Sequence, residues 1–320
     1  MRIDVHAHYF PTEYLDLLDR FGGSQVGTAI ARNFLAGKEP KELEARFRMM
    51  DDAGVDMQML SVGPQLPYFE EEAHAAEAAR VCNNMYAELV KQYPPRFKAF
   101  ACTPLPHMKA SIAELSRCLD ELGMVGATVA TTVLGRTIAD ASFEPLFAEL
   151  NRRKAVLFIH PAGISANSPY ISQYDLKWPI GAPFEDTICV LHLLKAGITT
   201  RYPNVKIIFS HLGGTLPFLT KRLDAQAPWF MPESSDKPSV LARGLWYDSV
   251  NAHGPALRCA CETYGADRIL LGTDYPYWRD EFFRLAVTYV QQSGLSSNDI
   301  SRILDENARN LLGLASNKSR

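Results

Sequence analysis

Short apolar runs recur along the chain, with amphipathic segments between them. The runs at 3–6, 57–62, 97–102, 126–130, 156–160, 206–211, 245–250 and 269–274 predict eight strands. Helical periodicity fills 41–53, 70–91, 109–122, 143–153 and 184–199, begins again at 216 and continues through Arg222, and returns at 255–264 and 299–312. Strands alternating with helices predict a parallel sheet with crossover helices. Val156-Leu157-Phe158-Ile159 and Lys206-Ile207-Ile208-Phe209 are runs rather than alternations, as expected for strands covered on both faces. Eight such units predict an α/β fold of the (β/α)8 TIM type, as a single domain over 1–320. Two insertions interrupt the rhythm. Residues 11–40 carry Gly22, Gly23 and Arg32, and residues 162–183 carry Tyr170, Tyr174 and Trp178. In a barrel both would lie over the mouth, and the aromatic one would wall a flat substrate. The polar tail 315–320 is expected to fray.

The chemistry concentrates at strand ends. Residues i and i+2 of a strand point the same way, so His6 and His8 aim two imidazoles at one point. His160 closes the fifth predicted strand, His211 the sixth and Asp274 the eighth. All would stand at the C-terminal face, where TIM barrels keep their active sites. This predicts a metal site built from His6, His8, His160 and Asp274. His211 stands as a ligand, a general base or a packed core histidine; the Gly213-Gly214 that follows lets backbone approach a ligand closely. Asp274 also suits a turn, since Thr273-Asp274-Tyr275-Pro276 is a good turn sequence. Arg222 lies eleven residues after His211 and is either a solvated helix face or a site residue. Trp178 and Tyr277 read as packing residues on physics alone and are carried as candidate substrate-binding residues. His74, His107 and His192 fall in or beside helical patterns and read as ordinary residues; His253 is a second-tier site candidate.

Composition narrows the classes. Of 320 residues, 47% are hydrophobic and 22% charged, an ordinary globular balance. A net charge of −3 gives no reason to expect nucleic acid or an anionic membrane as partner. Six cysteines lack zinc-finger or C-x-x-C spacing and predict reduced thiols in a cytoplasmic protein. No apolar signal region and no run near the ~18 residues of a membrane span is present. A Gly-rich phosphate loop and a G-x-S-x-G motif are also absent.

The order His6-Ala7-His8, His160-Pro161, Ser210-His211-Leu212-Gly213-Gly214 and Gly272-Thr273-Asp274-Tyr275-Pro276 resembles the amidohydrolase superfamily. It is most similar to the branch of metal-dependent decarboxylases that act on aminocarboxymuconate semialdehyde, 6-methylsalicylate and γ-resorcylate. The resemblance runs to the C-terminal stretch from Glu306 to Gly313. It implies His6, His8, His160 and Asp274 as metal ligands and His211 as the acid–base or water-activating histidine. It implies that Trp178 lines the substrate pocket and that Arg222 reaches the substrate of a neighbouring subunit, hence a homodimer. Arg32 matches a substrate-carboxylate arginine more loosely. The semialdehyde decarboxylases tend to read His-Pro-Trp-Asp where this chain has His160-Pro161-Ala162-Gly163, which leaves aromatic acids open. The resorcylate enzymes tend to start with Glu-x-His, whereas this chain has His6-Ala7-His8. The fourth strand segment, 126–131, has no lysine to carbamylate and bridge two metals, so one divalent ion is implied.

That resemblance implies non-oxidative decarboxylation of a small aromatic or unsaturated carboxylic acid. The ion, as Lewis acid, would orient the carboxylate and stabilise charge. Asp274 and His211 both stand as proton donors. Zinc suits the nitrogen-rich donor set, and manganese suits a shell completed by oxygen. The competing readings are a metal-dependent hydrolase of a lactone or amide on the same ligands, and a non-catalytic binding scaffold.

Overall fold

The computed structural model describes residues 1–314; the polar tail 315–320 lies outside the described residues. Eleven strands follow in chain order: β1 (Ile3–His8), β2 (Met57–Ser61), β3 (Phe97–Ala99), β4 (Ala101–Cys102), β5 (Gly126–Ala130), β6 (Thr132–Val133), β7 (Arg136–Thr137), β8 (Val156–His160), β9 (Lys206–Phe209), β10 (Trp246–Asp248) and β11 (Ile269–Leu270). β6 and β7 form a small antiparallel hairpin. The others pair in parallel in two arcs, β1-β2-β3 and β11-β10-β9-β8-β5-β4. Backbone hydrogen bonds join the arcs at both ends. Phe100 N donates to Leu60 O (3.0 Å) and Val125 N to Ala99 O (3.2 Å) on one side. Val5 N donates to Leu271 O (2.8 Å) and Asp274 N to His6 O (2.8 Å) on the other. This is the strand order of a TIM-type α/β barrel, as the apolar pattern predicts.

The interior is filled by Ile3, Val5, Met57, Met59, Phe100, Val156, Phe158, Ile208 and Leu270, with Ala308 and Leu311 of the last helix packed against them. The predicted strand 97–102 is two strands because the chain breaks at Phe100, whose ring stacks on Phe158 at 5.6 Å. The opposite strand faces, among them Val129, Leu157, Ile159, Phe209 and Leu271, join the larger core beneath the helices.

β1 departs from simple alternation. Asp4 pairs with Gln58 and Ala7 with Leu60, so β1 carries one extra residue there. Such a bulge re-aims side chains. It lets Val5 pack in the interior while His6, one residue later, faces the interior ring of Phe158 at 5.1 Å. The buried carboxylate of Asp4 ties the join together. It accepts from His6 N (3.0 Å), Thr273 N (2.9 Å), Thr273 Oγ1 (2.6 Å) and Gln58 Nε2 (2.8 Å). The buried Arg46 donates to Gln58 Oε1 (2.7 Å) and His8 O (2.9 Å). The strand bearing His6 and His8 and the Thr273-Asp274 segment after β11 are thus cross-linked from behind.

Seven helices match the predicted periodicity: Pro40–Asp52, Glu72–Gln92, Met108–Asp120, Glu144–Arg153, Ala182–Lys195, Leu216–Phe230 and Gly254–Tyr264. Glu281–Gln291 escaped the pattern reading, although Phe283, Ala286, Val287 and Val290 form its buried i, i+3, i+4, i+7 face. The predicted segment 184–199 ends at Lys195, and Gly197 (φ 66°) separates it from Ile198–Arg201. The final segment is three pieces, Ser297–Ser301, a wider π turn Arg302–Glu306 and Asn307–Leu312. The first insertion is not a loop: it folds as helices Thr12–Arg20 and Gln25–Asn33, the second capped by Ser24 Oγ accepting from Gly27 N. Among the described residues no helix is long and apolar enough to cross a membrane.

Candidate metal centre and pocket

His6, His8, His160 and Asp274 converge: one ligand atom from each lies within 4.8 Å of the others. His6 Nε2 and His8 Nε2 are 3.1 Å apart, and Asp274 Oδ1 lies 3.3 and 3.2 Å from them. The far ring nitrogens are occupied. His6 Nδ1 faces Asp248 Oδ2 at 2.6 Å, and His160 Nδ1 faces the Pro161 carbonyl at 2.9 Å. Both partners only accept, so both Nδ1 atoms carry a proton, which leaves the Nε2 atoms as the ones that can face a cation. His8 Nδ1 is 3.1 Å from Ser61 Oγ. Imidazole lone pairs and a carboxylate oxygen crowded in a buried space repel one another without a cation, so the donor set fits one divalent ion.

The electrostatics agree. Burial pushes His8 down to about 4, and burial together with the neighbouring histidines holds His160 well below its ordinary value; both are neutral, as ligands must be. Burial opposes charge on His6, yet Asp248 and Asp274 outweigh it and push the group up to about 10. Two carboxylates therefore favour a positive charge at this point, which a divalent cation would supply. Burial also opposes ionisation of Asp274, but His6 and His8 hold its carboxyl well below the usual range.

His211 and Asp274 do not end strands as predicted. β9 stops at Phe209 and β11 at Leu270. The chain then leaves the sheet, and His211 (φ 53°) and Asp274 (φ 59°) sit in the left-handed region. That twist turns both side chains over the barrel mouth, and strain of this kind is typical of functional sites. His211 is held at two points: its N–H donates to Asp248 Oδ1 (2.9 Å), and its Nδ1 faces Asp186 Oδ2 (2.8 Å). Asp248 thus touches both His6 and His211.

A cavity of about 390 Å³ opens beside the cluster, bounded by His160, His211 and Asp274 at one end and by Trp178, Pro183, Val250, Asn251, Tyr277 and Trp278 elsewhere. Tyr277 sits 5.4 Å from the His8 ring and 6.5 Å from Trp178, centroid to centroid. Trp178 lies on a π turn, Lys177–Gly181, within the second insertion. Its seat explains Gly163: a Cβ there would stand 2.6 Å from Trp178 Cη2. The buried Glu185 pins the same loop, accepting from Gly163 N (3.0 Å) and Ile164 N (2.7 Å). Tyr170 and Tyr174, from that insertion, are exposed and do not line the cavity.

The remaining candidates fall elsewhere. Arg32 does not line the cavity; its Nη2 is 2.8 Å from both Asp16 and Asp19 of the preceding helix. Arg222 is exposed on Leu216–Phe230 and is not among the cavity residues of its own chain. His253 is likewise exposed and outside the cavity. His74 stacks on Phe21, and His107 and His192 bond to Phe69 O and Thr137 Oγ1. Sequence reasoning missed Asp186, Glu185, Asp248 and Ser61. Each is a polar residue inside an element, with no spacing that marks it.

A family model described as amidohydrolase matches residues 3–314. The chain belongs to the amidohydrolase family. Within that family it is similar to the 2-amino-3-carboxymuconate-6-semialdehyde decarboxylase of Dictyostelium discoideum, 28% identical over 99% of this chain and 93% of the relative. It is also similar to the 6-methylsalicylic acid decarboxylase of Penicillium expansum, 31% identical over 86% of this chain and 85% of the relative. Among solved structures, that of a dihydroxybenzoic acid decarboxylase from a Polaromonas species superposes with a TM-score of 0.83. It is 25% identical, covers 98% of this chain and 97% of its own, and was solved with manganese and the inhibitor 2-nitroresorcinol.

Proposed function

We propose that this amidohydrolase is a metal-dependent, non-oxidative decarboxylase of a small aromatic or unsaturated carboxylic acid, with the whole chain acting as one catalytic domain. The observation that carries this reading is the junction of the cluster with the cavity. Three histidines and one aspartate meet a space walled by aromatic rings and lacking lysine or arginine in its lining. A flat acid would lie against the aromatic wall of Trp178 and Tyr277 with its carboxylate toward His160 and Asp274.

A divalent ion held by His6, His8, His160 and Asp274 supplies Lewis-acid stabilisation of the charge that develops as carbon dioxide leaves. Asp274 contributes its oxygen to the ligand cluster, whereas His211 lines the cavity outside that cluster and is the proton donor in this reading. The bond to the carboxyl carbon breaks and its electron pair stays on the ring carbon. His211 gives that carbon the proton from Nε2, and solvent reprotonates the imidazole. The aromatic walls keep bulk water from the reacting carbon. The imidazole count supports zinc, and the manganese bound by the Polaromonas relative supports manganese. The six free thiols support a reducing, cytoplasmic location. A screen of hydroxybenzoates and related acids for released carbon dioxide tests the proposal; a metal-loaded protein inert toward all of them would count against it.

The same reading includes a homodimer. On Leu216–Phe230, Phe218, Arg222 and Trp229 fall on one helical stripe, and Phe218 and Trp229 are 87% and 80% exposed. Two large apolar side chains flanking an arginine suit an interface. The planar fork of Arg222 would meet a partner's substrate carboxylate. Arg222→Ala is expected to raise KM for an acidic substrate without removing metal. Mixing inactive His211→Ala with Arg222→Ala protein should restore part of the activity, because one site per mixed dimer pairs an intact His211 with an intact Arg222. No recovery after demonstrated subunit exchange would defeat the shared site.

A further inference from the structure

The His211 loop is pressed against the start of the helix Ala182–Lys195. Gly214 lies so close that a Cβ there would stand 1.9 Å from Pro183 O. Thr215 N donates to Thr187 Oγ1 at 2.8 Å. Between these contacts Asp186, fully buried, turns its Oδ2 to within 2.8 Å of His211 Nδ1. Its Oδ1 is buried with no hydrogen-bond partner. A buried carboxylate with one oxygen unsatisfied is costly, and its single strong bond runs to the one histidine of the cavity that is outside the metal cluster.

We propose that Asp186 is a positioning residue for His211: its carboxylate fixes the ring so that Nδ1 carries a proton and Nε2 faces the cavity. This rests on the role of His211 as proton donor. A carboxylate only accepts, so the Nδ1 proton stays on the ring before and after transfer, and the proton delivered to carbon leaves from Nε2. The neutral ring left behind is the Nδ1–H form, ready to take a proton again at Nε2. Asp248 fixes the His211 backbone and Asp186 fixes its ring, so the imidazole has little freedom to turn away.

The test combines a spectroscopic and a kinetic arm. Histidine-labelled wild-type protein, with the His211 signal assigned by its loss in His211→Ala, is followed in nitrogen–proton correlation spectra to a pH at which the ring is neutral; the neutral ring should be protonated at Nδ1, and a neutral ring protonated at Nε2 instead overturns the proposal. Asp186→Asn puts an amide of the same shape in place and removes the charge. It should lower kcat about 10²–10⁴-fold, with KM within about twofold and metal content unchanged. Wild-type kcat, or loss of metal, would refute the assignment. In a His211→Ala background the same change should alter kcat by less than about twofold, because Asp186 acts through His211; a further large fall would assign it a separate role. Should wild-type protein release no carbon dioxide from any acid, the decarboxylase reading fails, while the ring tautomer still decides the pairing of Asp186 with His211.

Discussion

Replacing His211 by alanine is expected to leave the divalent ion in place and to lower turnover about 10²–10⁴-fold, the usual contribution of a general acid or base. His211 lines the cavity but stands outside the group of four converging ligand atoms. Its ring bonds Asp186 rather than a metal ligand, so its loss removes a proton donor and not a coordination bond. Metal analysis and kcat measured on one preparation check this. Unchanged turnover would rule out the acid–base role, and loss of metal would move His211 into the coordination sphere.

The second large effect is loss of the metal itself. Protein purified without chelator should carry about one equivalent of divalent ion, the stoichiometry of a mononuclear site. His6→Ala/His8→Ala should abolish both binding and turnover. Two of the four donors disappear, and Asp274 loses the partners that hold it ionised. Because Asp4, Gln58, Thr273 and Arg46 still cross-link the strands behind the site, the fold should survive, with an unchanged far-ultraviolet spectrum. Two equivalents in the wild type, or full metal in the double variant, would contradict the ligand assignment.

The convergence of His6, His8, His160 and Asp274 is legible because their chemistry is unusual where it stands. A histidine or aspartate at the end of an apolar run has few structural uses, and barrel topology sends all such ends to one face. The local geometry was not readable. Simple alternation accounts for His6 and His8 sharing a face, but not for Val5 pointing into the same interior; that takes the bulge between Asp4 and Ala7, which no turn residue announces. The apolar pattern carries the strands through to His211 and Asp274, whereas the backbone leaves the sheet earlier and twists into the left-handed region at both. Arg32 matched a family arginine only loosely, and the insertion that carries it folds as two helices that pair it with Asp16 and Asp19. Asp186 and Asp248 lie 25 and 37 residues from His211 in sequence, so only the folded chain brings these carboxylates to it. Trp178 shows the intermediate case. Physics alone marks it as packing, and its place in the cavity depends on Gly163 leaving room for its ring.

The most direct measurement follows the atoms of the reaction. Metal-loaded enzyme is incubated, in heavy-oxygen water and separately in deuterium oxide, with an acid found active in the screen. Decarboxylation predicts carbon dioxide and product in equal amounts, one deuterium on the carbon that lost the carboxyl group, and no solvent oxygen in the organic product. Incorporation of solvent oxygen into a product that keeps its carboxylate would contradict decarboxylation and establish hydrolysis at the same site.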